Sequence, residues 1–124
     1  MKAKVLIADD SAQMRMILKE ILVHNGCEIT DEAENGKEAV EMYSRHKPDV
    51  VILDLSMPVM DGIDALKAIK ELHPDVCAVM QSAMGQQNLV VEAIRAGAAE
   101  FFIKPLQSER VVEALEKALK KKLV

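Results

Sequence analysis

The feature that most constrains this chain is a fivefold alternation of short apolar runs and amphipathic segments. The runs, which we predict to be strands, cover residues 4–8, 27–33, 50–53, 76–80 and 99–103. After each run, apolar residues recur at the spacing of one face of a helix. Apolar strands that alternate with helices are typical of a parallel sheet covered on both sides. The pattern therefore predicts the α/β fold class, a doubly wound (βα)5 domain with five parallel strands.

Composition and charge narrow the class of protein further. No linker, repeat or low-complexity segment interrupts the alternation, so we expect one domain over residues 1–124 and no separate output domain. A formal net charge of -4 argues against nucleic-acid binding, because phosphate backbones select basic surfaces. We find neither a signal peptide nor a span-length apolar segment, and expect a cytoplasmic protein without membrane insertion. Cys27 and Cys77 lie far apart in the sequence and are expected to be buried free thiols.

Polar residues that could carry chemistry stand at the ends of four predicted strands. Asp9 and Asp10 follow the first strand, and Asp54 follows the third. Ser82 comes after the fourth strand and Lys104 after the fifth. The carboxyl ends of parallel strands share one edge of the sheet, where ligands bind. An alternative is that the acidic pair, or the serine after it, only caps the following helix. Helix capping would not explain why polar residues stand at the ends of four strands, so the whole set favours a functional site.

The residue types at these strand ends suit phosphoryl transfer. Three neighbouring carboxylates repel one another, and a hard divalent cation such as Mg²⁺ relieves that repulsion while keeping several waters. Lys104 and Ser82 would supply one charged and one neutral donor to a phosphoryl group. Asp54, on the central strand, is best placed to be the nucleophile that forms an aspartyl phosphate. The sequence thus predicts a magnesium-assisted phosphoacceptor.

Together with Pro105, these residues resemble the receiver domain of two-component response regulators, over essentially the full length of the chain. Within that family, residues 82–87 (Ser-Ala-Met-Gly-Gln-Gln) are most similar to the single-domain chemotaxis regulators. The resemblance implies the flavodoxin-like strand order 2-1-3-4-5. It also implies phosphorylation by a histidine kinase and switched affinity for a protein such as the flagellar motor switch. A phosphatase is a further candidate partner. The domain would be no enzyme, but would assist its own phosphorylation and dephosphorylation.

The resemblance also assigns the phosphoacceptor and metal ligands by position. Asp54 is the phosphoacceptor and a ligand of Mg²⁺. Asp10 binds the ion directly, and Asp9 reaches it through water. The backbone carbonyl of Ser56 is a further ligand.

Three more residues are implied to act once the phosphoryl group is bound. Ser82 would hydrogen-bond the group, Lys104 would pair with it, and Phe101 would change rotamer on activation. The Lys104–Pro105 bond is expected to be cis. Two positions depart from the commonest family pattern: Ser82 stands where threonine is also common, and Phe101 stands where many relatives have tyrosine.

A few apolar residues depart from the predicted core-facing stripes. Leu89, Val90, Ala93 and Ile94 are expected to face the core from the fourth helix. Four other residues are expected on the surface: Ala12, Met16, Met84 and Val91. Isolated exposed apolar residues are normal, and the alternative is two docking faces. The first pair would then contact the kinase, and the second pair would contact the output partner.

Three rival functions are compatible with parts of this pattern. A phosphorelay intermediate would pass its phosphoryl group to a histidine phosphotransferase. An aspartate-nucleophile phosphatase of the haloacid-dehalogenase type would need a second acid two residues after Asp54, where Ser56 stands. The receiver fragment of a DNA-binding regulator is disfavoured, because the sequence contains no basic helix-turn-helix.

Overall fold

A computed structural model describes residues 1–122. Its elements are β1 Lys4–Ala8, α1 Ala12–His24, β2 Glu28–Ala33, α2 Gly36–His46, β3 Val50–Asp54, α3 Gly62–Leu72, β4 Ala78–Ser82, α4 Gln87–Arg95, β5 Glu100–Ile103 and α5 Ser108–Lys122. All strand pairs are parallel, and the strands lie in the order β2-β1-β3-β4-β5. The predicted fold class and strand order are confirmed.

Side-chain alternation along the strands divides the core into two layers. In β3, Val51 and Leu53 pack in the layer with α2, α3 and α4, whereas Val50 and Ile52 pack in the layer with α1 and α5. All four side chains are fully buried. Burial of one such side chain contributes about 1.5–3 kcal/mol. A strand that is apolar on both faces is therefore stable only at the centre of a sheet that helices cover on both sides.

The fourth strand ends two residues later than predicted, because backbone pairing continues through polar residues. Leu55 N donates to Gln81 O at 3.0 Å, and Lys104 N donates to Ser82 O at 2.7 Å. Ser82 is thus the last residue of β4 instead of the second residue after it. Hydropathy missed this extension, since ladder hydrogen bonds involve the backbone and not the side chains. The strands β2 and β5 each begin one residue later than predicted.

The packing of α4 corrects the predicted core-facing stripe. Ala93 is its one buried residue, and Val90 is half-buried. Leu89 and Ile94 are 37% and 44% exposed. Ile94 lines an open cavity between α4 and β5, and Leu89 lines a second one beside Leu55 and Met57, so neither side chain has a full set of packing partners.

Two other expectations concern the cysteines and the membrane. Cys27 and Cys77 are buried free thiols, as predicted. Burial raises the pKa of both thiols, which keeps them protonated. Within residues 1–122, no helix combines the length and the hydropathy that a membrane span requires.

Candidate functional site

The structure brings three carboxylates together at the carboxyl edge of the sheet. Ala8 of β1 pairs with Leu53 of β3, so the residues that follow them, Asp9 and Asp54, are neighbours. One carboxylate oxygen from each of Asp9, Asp10 and Asp54 lies within 4.8 Å of the other two. Asp9 and Asp54 are buried, whereas Asp10 is exposed. The acidic residues that the sequence placed on separate strand ends therefore form one cluster.

Ser11 caps α1, and neither aspartate before it does. Its Oγ accepts a hydrogen bond from Met14 N at 3.2 Å, while its own backbone N donates to Asp9 Oδ1 at 2.8 Å. The serine thereby satisfies one of the unpaired donors of the first helical turn. The capping interpretation consequently explains Ser11 but does not explain the two carboxylates of Asp9 and Asp10.

Lys104 reaches the cluster from the loop after β5. Its Nζ lies 3.1 Å from Asp54 Oδ2 and 3.7 Å from Asp9 Oδ2. The peptide bond between Lys104 and Pro105 is cis. One ammonium group balances the charge of only one of the three carboxylates, so an ionised cluster keeps an excess of negative charge.

The environment of Asp54 opposes its ionisation. Burial raises the pKa of this carboxyl above its ordinary value, and the neighbouring Asp9 carboxylate raises it further. The hydrogen bond from Lys104 Nζ and the backbone N–H of Ser56, 3.3 Å from Asp54 Oδ1, act in the opposite direction. A hard divalent cation would relieve the remaining repulsion, and carboxylate oxygens are the ligands that Mg²⁺ prefers. The donor set of Asp9, Asp10 and Asp54 therefore fits a magnesium ion.

Arg15, which the sequence reasoning missed, anchors the loop between β1 and α1. Its Nη1 donates to Asp9 O at 2.7 Å, and its Nε donates to Glu32 Oε1 at 3.2 Å. Lys19 Nζ lies 2.6 Å from the other oxygen of Glu32. The hydrogen bond from Lys19 and the contacts of Arg15 lower the pKa of Glu32. These contacts tie the acidic loop to the edge strand β2.

Gln81 is a second residue that the sequence reasoning missed. It is fully buried at the penultimate position of β4, and its Nε2 donates to Asp9 Oδ2 at 2.7 Å. Among the residues that the structure describes, its Oε1 is the one buried side-chain polar atom without a hydrogen-bond partner. One sequence signal could have found this residue. It is a glutamine that stands between the apolar run of the fourth strand and Ser82, two residues after the core residue Val79.

The hydroxyl groups near the cluster are engaged elsewhere. Ser82 is buried, and its Oγ donates to the carbonyl of Ala83 at 3.0 Å. Ser56 Oγ accepts a hydrogen bond from Gln86 Nε2 at 2.9 Å, and Gln86 Oε1 accepts one from Ala83 N at 2.7 Å. Gln86 thus links the loop after β3 to the loop after β4.

A cavity of about 640 Å³ runs from Ser82 along α4 to β5. Its lining includes Met84, Val91, Phe101 and Ile103. The Phe101 side chain is 41% exposed, and Met84 and Val91 are 81% and 50% exposed. The predicted switch residues Ser82 and Phe101 therefore lie on one continuous apolar cavity, with two of the predicted surface residues at its margin.

The other two predicted surface residues lie on α1. Ala12 and Met16 are both exposed, and Met16 is 60% exposed. They follow the acidic loop directly, because α1 begins three residues after Asp9. The sequence therefore predicted the exposure of all four surface residues.

Comparison with known proteins identifies the family to which this fold and site belong. Residues 5–116 match the family model described as the response regulator receiver domain. The chain belongs to this family, whose members act in two-component signal transduction.

Particular relatives narrow the class to receivers of the CheY type. The chain is 54% identical to the chemotaxis protein CheY of Bacillus subtilis, over 96% of this chain and 99% of the relative. It is 53% identical to that of Thermotoga maritima, over 97% and 100%. A solved complex from Borrelia burgdorferi contains CheX, CheY, BeF3 and magnesium. The matched chain has a TM-score of 0.86 and 38% identity, over 90% of this chain and 85% of that one. The chain is thus a CheY-like regulator.

Proposed function

We propose that Asp54 is the phosphoacceptor of this receiver and that Mg²⁺ is its cofactor. The observation that carries the proposal is the cluster of Asp9, Asp10 and Asp54, whose oxygens lie within 4.8 Å of one another. Lys104 Nζ stands 3.1 Å from Asp54 Oδ2. The similar Borrelia burgdorferi complex, which contains BeF3 and magnesium with CheY, supports the same chemistry. The carbonyl of Ser56 completes the proposed ligand set.

The proposed reaction begins when a histidine kinase presents a phosphohistidine. A carboxylate oxygen of Asp54 attacks the phosphorus, the phosphorus–nitrogen bond breaks, and the imidazole leaves with the electron pair. Bound Mg²⁺ supplies charge neutralisation at the phosphoryl oxygens. Lys104 pairs with one of these oxygens, and Ser82 turns its hydroxyl from Ala83 O towards another.

Hydrolysis of the aspartyl phosphate resets the receiver. A water molecule attacks the phosphorus, the bond to the Asp54 oxygen breaks, and the free carboxylate returns with inorganic phosphate as the product. The domain therefore assists its own phosphorylation and dephosphorylation, and we do not assign it an enzymatic activity on an independent substrate. A phosphatase partner could accelerate the same step.

Activation is proposed to pass from Ser82 to Phe101 through the cavity between α4 and β5. Movement of the Ser82 hydroxyl pulls the loop after β4, and Phe101 changes rotamer into the space that opens. Shifting a population from mostly inactive to mostly active requires about 5 kcal/mol of differential stabilisation. The new hydrogen bond from Ser82, the shift of Lys104 to a phosphoryl oxygen and the repacked cavity are a sufficient source.

The proposed role is chemotaxis signalling in the cytoplasm, in line with the chemotaxis proteins that this chain resembles. The kinase would dock at Ala12 and Met16, beside the acidic loop. The output partner, for which the flagellar motor switch protein is our candidate, would dock at Met84 and Val91. Each pair is exposed and apolar in the structure.

The decisive experiment for the phosphoacceptor is labelling with acetyl phosphate and Mg²⁺. The unmodified protein should take up one phosphoryl group, and Asp54→Asn should take up none. Asp64→Asn is the matched control, because Asp64 is an exposed aspartate in the first turn of α3, outside the cluster. Stoichiometric label on the Asp54→Asn variant would refute the proposal.

The output partner is tested with purified proteins, with and without beryllofluoride, which mimics the aspartyl phosphate. The motor switch protein should bind more tightly in its presence, and Val91→Glu should remove that gain. Met16→Glu should instead slow phosphoryl transfer from the kinase and leave output binding unchanged. Rapid transfer to a histidine phosphotransferase, without motor-switch binding, would identify a phosphorelay intermediate instead.

A further inference from the structure

The buried amide of Gln81 connects the fourth strand to the first strand across the central one. In the sheet, β3 lies between β1 and β4. Gln81 is paired in register with Asp54 of β3, yet its side-chain Nε2 donates to Asp9 Oδ2 at 2.7 Å. Both residues of this bond are fully buried. The contact therefore joins two strand ends that do not pair through their backbones.

Side-chain alternation explains why Gln81 reaches the acidic cluster. Val79, two residues earlier in β4, packs in the core layer with α1 and α5, and Ile7 of β1 and Ile52 of β3 pack in the same layer. Residues two positions further along each strand point to the same face. Those residues are Gln81, Asp9 and Asp54. Ser82 has the opposite parity, and its hydroxyl bonds to Ala83 O instead.

The donors of the site are divided between the two buried carboxylates. Asp9 Oδ1 accepts from Ser11 N at 2.8 Å, and Asp9 Oδ2 accepts from Gln81. Lys104 Nζ is 3.7 Å from Asp9 Oδ2, which exceeds hydrogen-bond distance, but 3.1 Å from Asp54 Oδ2. Both Asp9 oxygens therefore have a donor other than Lys104, whose ammonium group lies closer to Asp54.

The oxygen of the same amide forms no hydrogen bond within the part of the chain that the structure describes. Gln81 Oε1 is the unpartnered buried atom described above for residues 1–122. Leaving a buried acceptor unpaired is unfavourable, and an apolar side chain of the same size would avoid that loss. The bond to Asp9 is therefore the one polar interaction that accounts for an amide at this buried position.

We propose that Gln81 is a positioning residue for metal binding: it holds the Asp9 carboxylate in the orientation from which it serves Mg²⁺. The inference rests on the proposed function, because it concerns the same magnesium site. Partners that orient metal-binding carboxylates typically change metal affinity by about 10- to 100-fold when they are removed. We assign Gln81 no direct contact with the phosphoryl group or the ion, because its side chain donates to Asp9 Oδ2.

The test is the dissociation constant for Mg²⁺ alone, measured on the whole protein by calorimetry or by amide shifts in NMR. Gln81→Met keeps the size of the side chain and removes the donor, and should weaken Mg²⁺ binding by about 10-fold or more. Gln81→Asn keeps an amide but is one methylene too short to reach Asp9, and should show the same loss. Either variant suffices if the other fails to fold.

A double-mutant cycle separates positioning from a general structural effect. In an Asp9→Asn background, adding Gln81→Met should change Mg²⁺ affinity by less than about twofold, because the carboxylate that Gln81 orients is gone. Val79→Ala is the matched control: it removes a buried side chain from the same strand and face, and should lower stability without changing Mg²⁺ affinity.

The outcomes distinguish this inference from the function on which it rests. If the unmodified protein does not bind Mg²⁺, both the magnesium site and the role of Gln81 are wrong. If it binds Mg²⁺ but Gln81→Met binds equally well or more tightly, only the role of Gln81 is wrong. An equal loss in Val79→Ala, or in the Asp9→Asn background, would also overturn that role.

Discussion

The ammonium of Lys104 lies closer to Asp54 than to Asp9, at 3.1 Å from one carboxylate and 3.7 Å from the other. One cation is therefore shared unequally between two buried acids. The unequal sharing matters for the proposed switch, because a phosphoryl group on Asp54 would place new oxygens within reach of the same ammonium. Lys104 is thus positioned to report the state of Asp54 to the rest of the domain.

Replacing Lys104 should separate phosphorylation from activation. We expect Lys104→Ala to accept a phosphoryl group from acetyl phosphate with Mg²⁺, because the carboxylate cluster remains. The variant should lose the beryllofluoride-induced NMR shifts of α4 and β5, and should bind the output partner no more tightly than the unphosphorylated protein. The matched control is Lys121→Ala, since Lys121 also donates to a carboxylate, that of Glu100, but on the α5 side of β5. Normal partner affinity in Lys104→Ala would show that Lys104 does not couple the site to the output surface.

The raised pKa of Asp54 predicts a pH-dependent cost in stability. A carboxyl whose folded pKa exceeds its unfolded value contributes stability below the unfolded pKa, and that contribution is lost as the pH rises through the folded pKa. At neutral pH, the metal-free protein therefore keeps a buried carboxylate at a disadvantage.

Asp54→Asn should consequently melt a few degrees higher than the unmodified protein at pH 7 in a chelating buffer. The difference should shrink as the pH falls towards the acid range, because protonation removes the charge from Asp54 as well. Thermal denaturation at several pH values measures this. A lower melting temperature for Asp54→Asn at neutral pH would mean that the Lys104 pair outweighs burial.

The lowered pKa of Glu32 predicts a stability effect of the opposite sign. Its contribution is present above the unfolded pKa of about 4.5 and is lost as the pH falls through the folded pKa. Glu32→Gln should lower the free energy of unfolding by about 0.5–1 kcal/mol at pH 7, a small figure because Glu32 is partly solvated. The loss should vanish in acid and shrink in high salt. Glu113→Gln is the control, since Glu113 pairs with Lys117 in full exposure and should have no measurable effect. Equal losses in the two variants would contradict a special role for Glu32.

The backbone at Val59 predicts a stabilising substitution. Val59 has a φ of 69°, a left-handed conformation that β-branched residues rarely adopt. Its side chain is 79% exposed, so little packing is lost when it is removed. Val59→Gly should raise the free energy of unfolding by about 1 kcal/mol, measured by chemical denaturation. Val59→Ala keeps a Cβ and should gain less. A destabilised glycine variant would show that the entropy of the unfolded chain outweighs the strain.

The sequence by itself determined the fold class and most of the acidic cluster, whereas the strand order followed from the resemblance to receiver domains. Five apolar runs between helices leave few arrangements, and the carboxyl ends of parallel strands must share one edge. Asp9, Asp54 and Lys104 could therefore be placed together from their positions at strand ends. No contact had to be known for this step, because the period of the pattern identifies the strands and parallel strands end at the same edge.

Only the tertiary structure decided which polar groups serve that cluster. Gln81 and Asp9 are 72 residues apart, and they meet because register and side-chain parity direct both to one face across β3. The exposed side of α4 was likewise invisible in the sequence, since an apolar stripe is the same whether it covers a core or borders a cavity. Local pattern specifies the elements, whereas hydrogen bonds and packing between distant residues depend on how those elements are assembled.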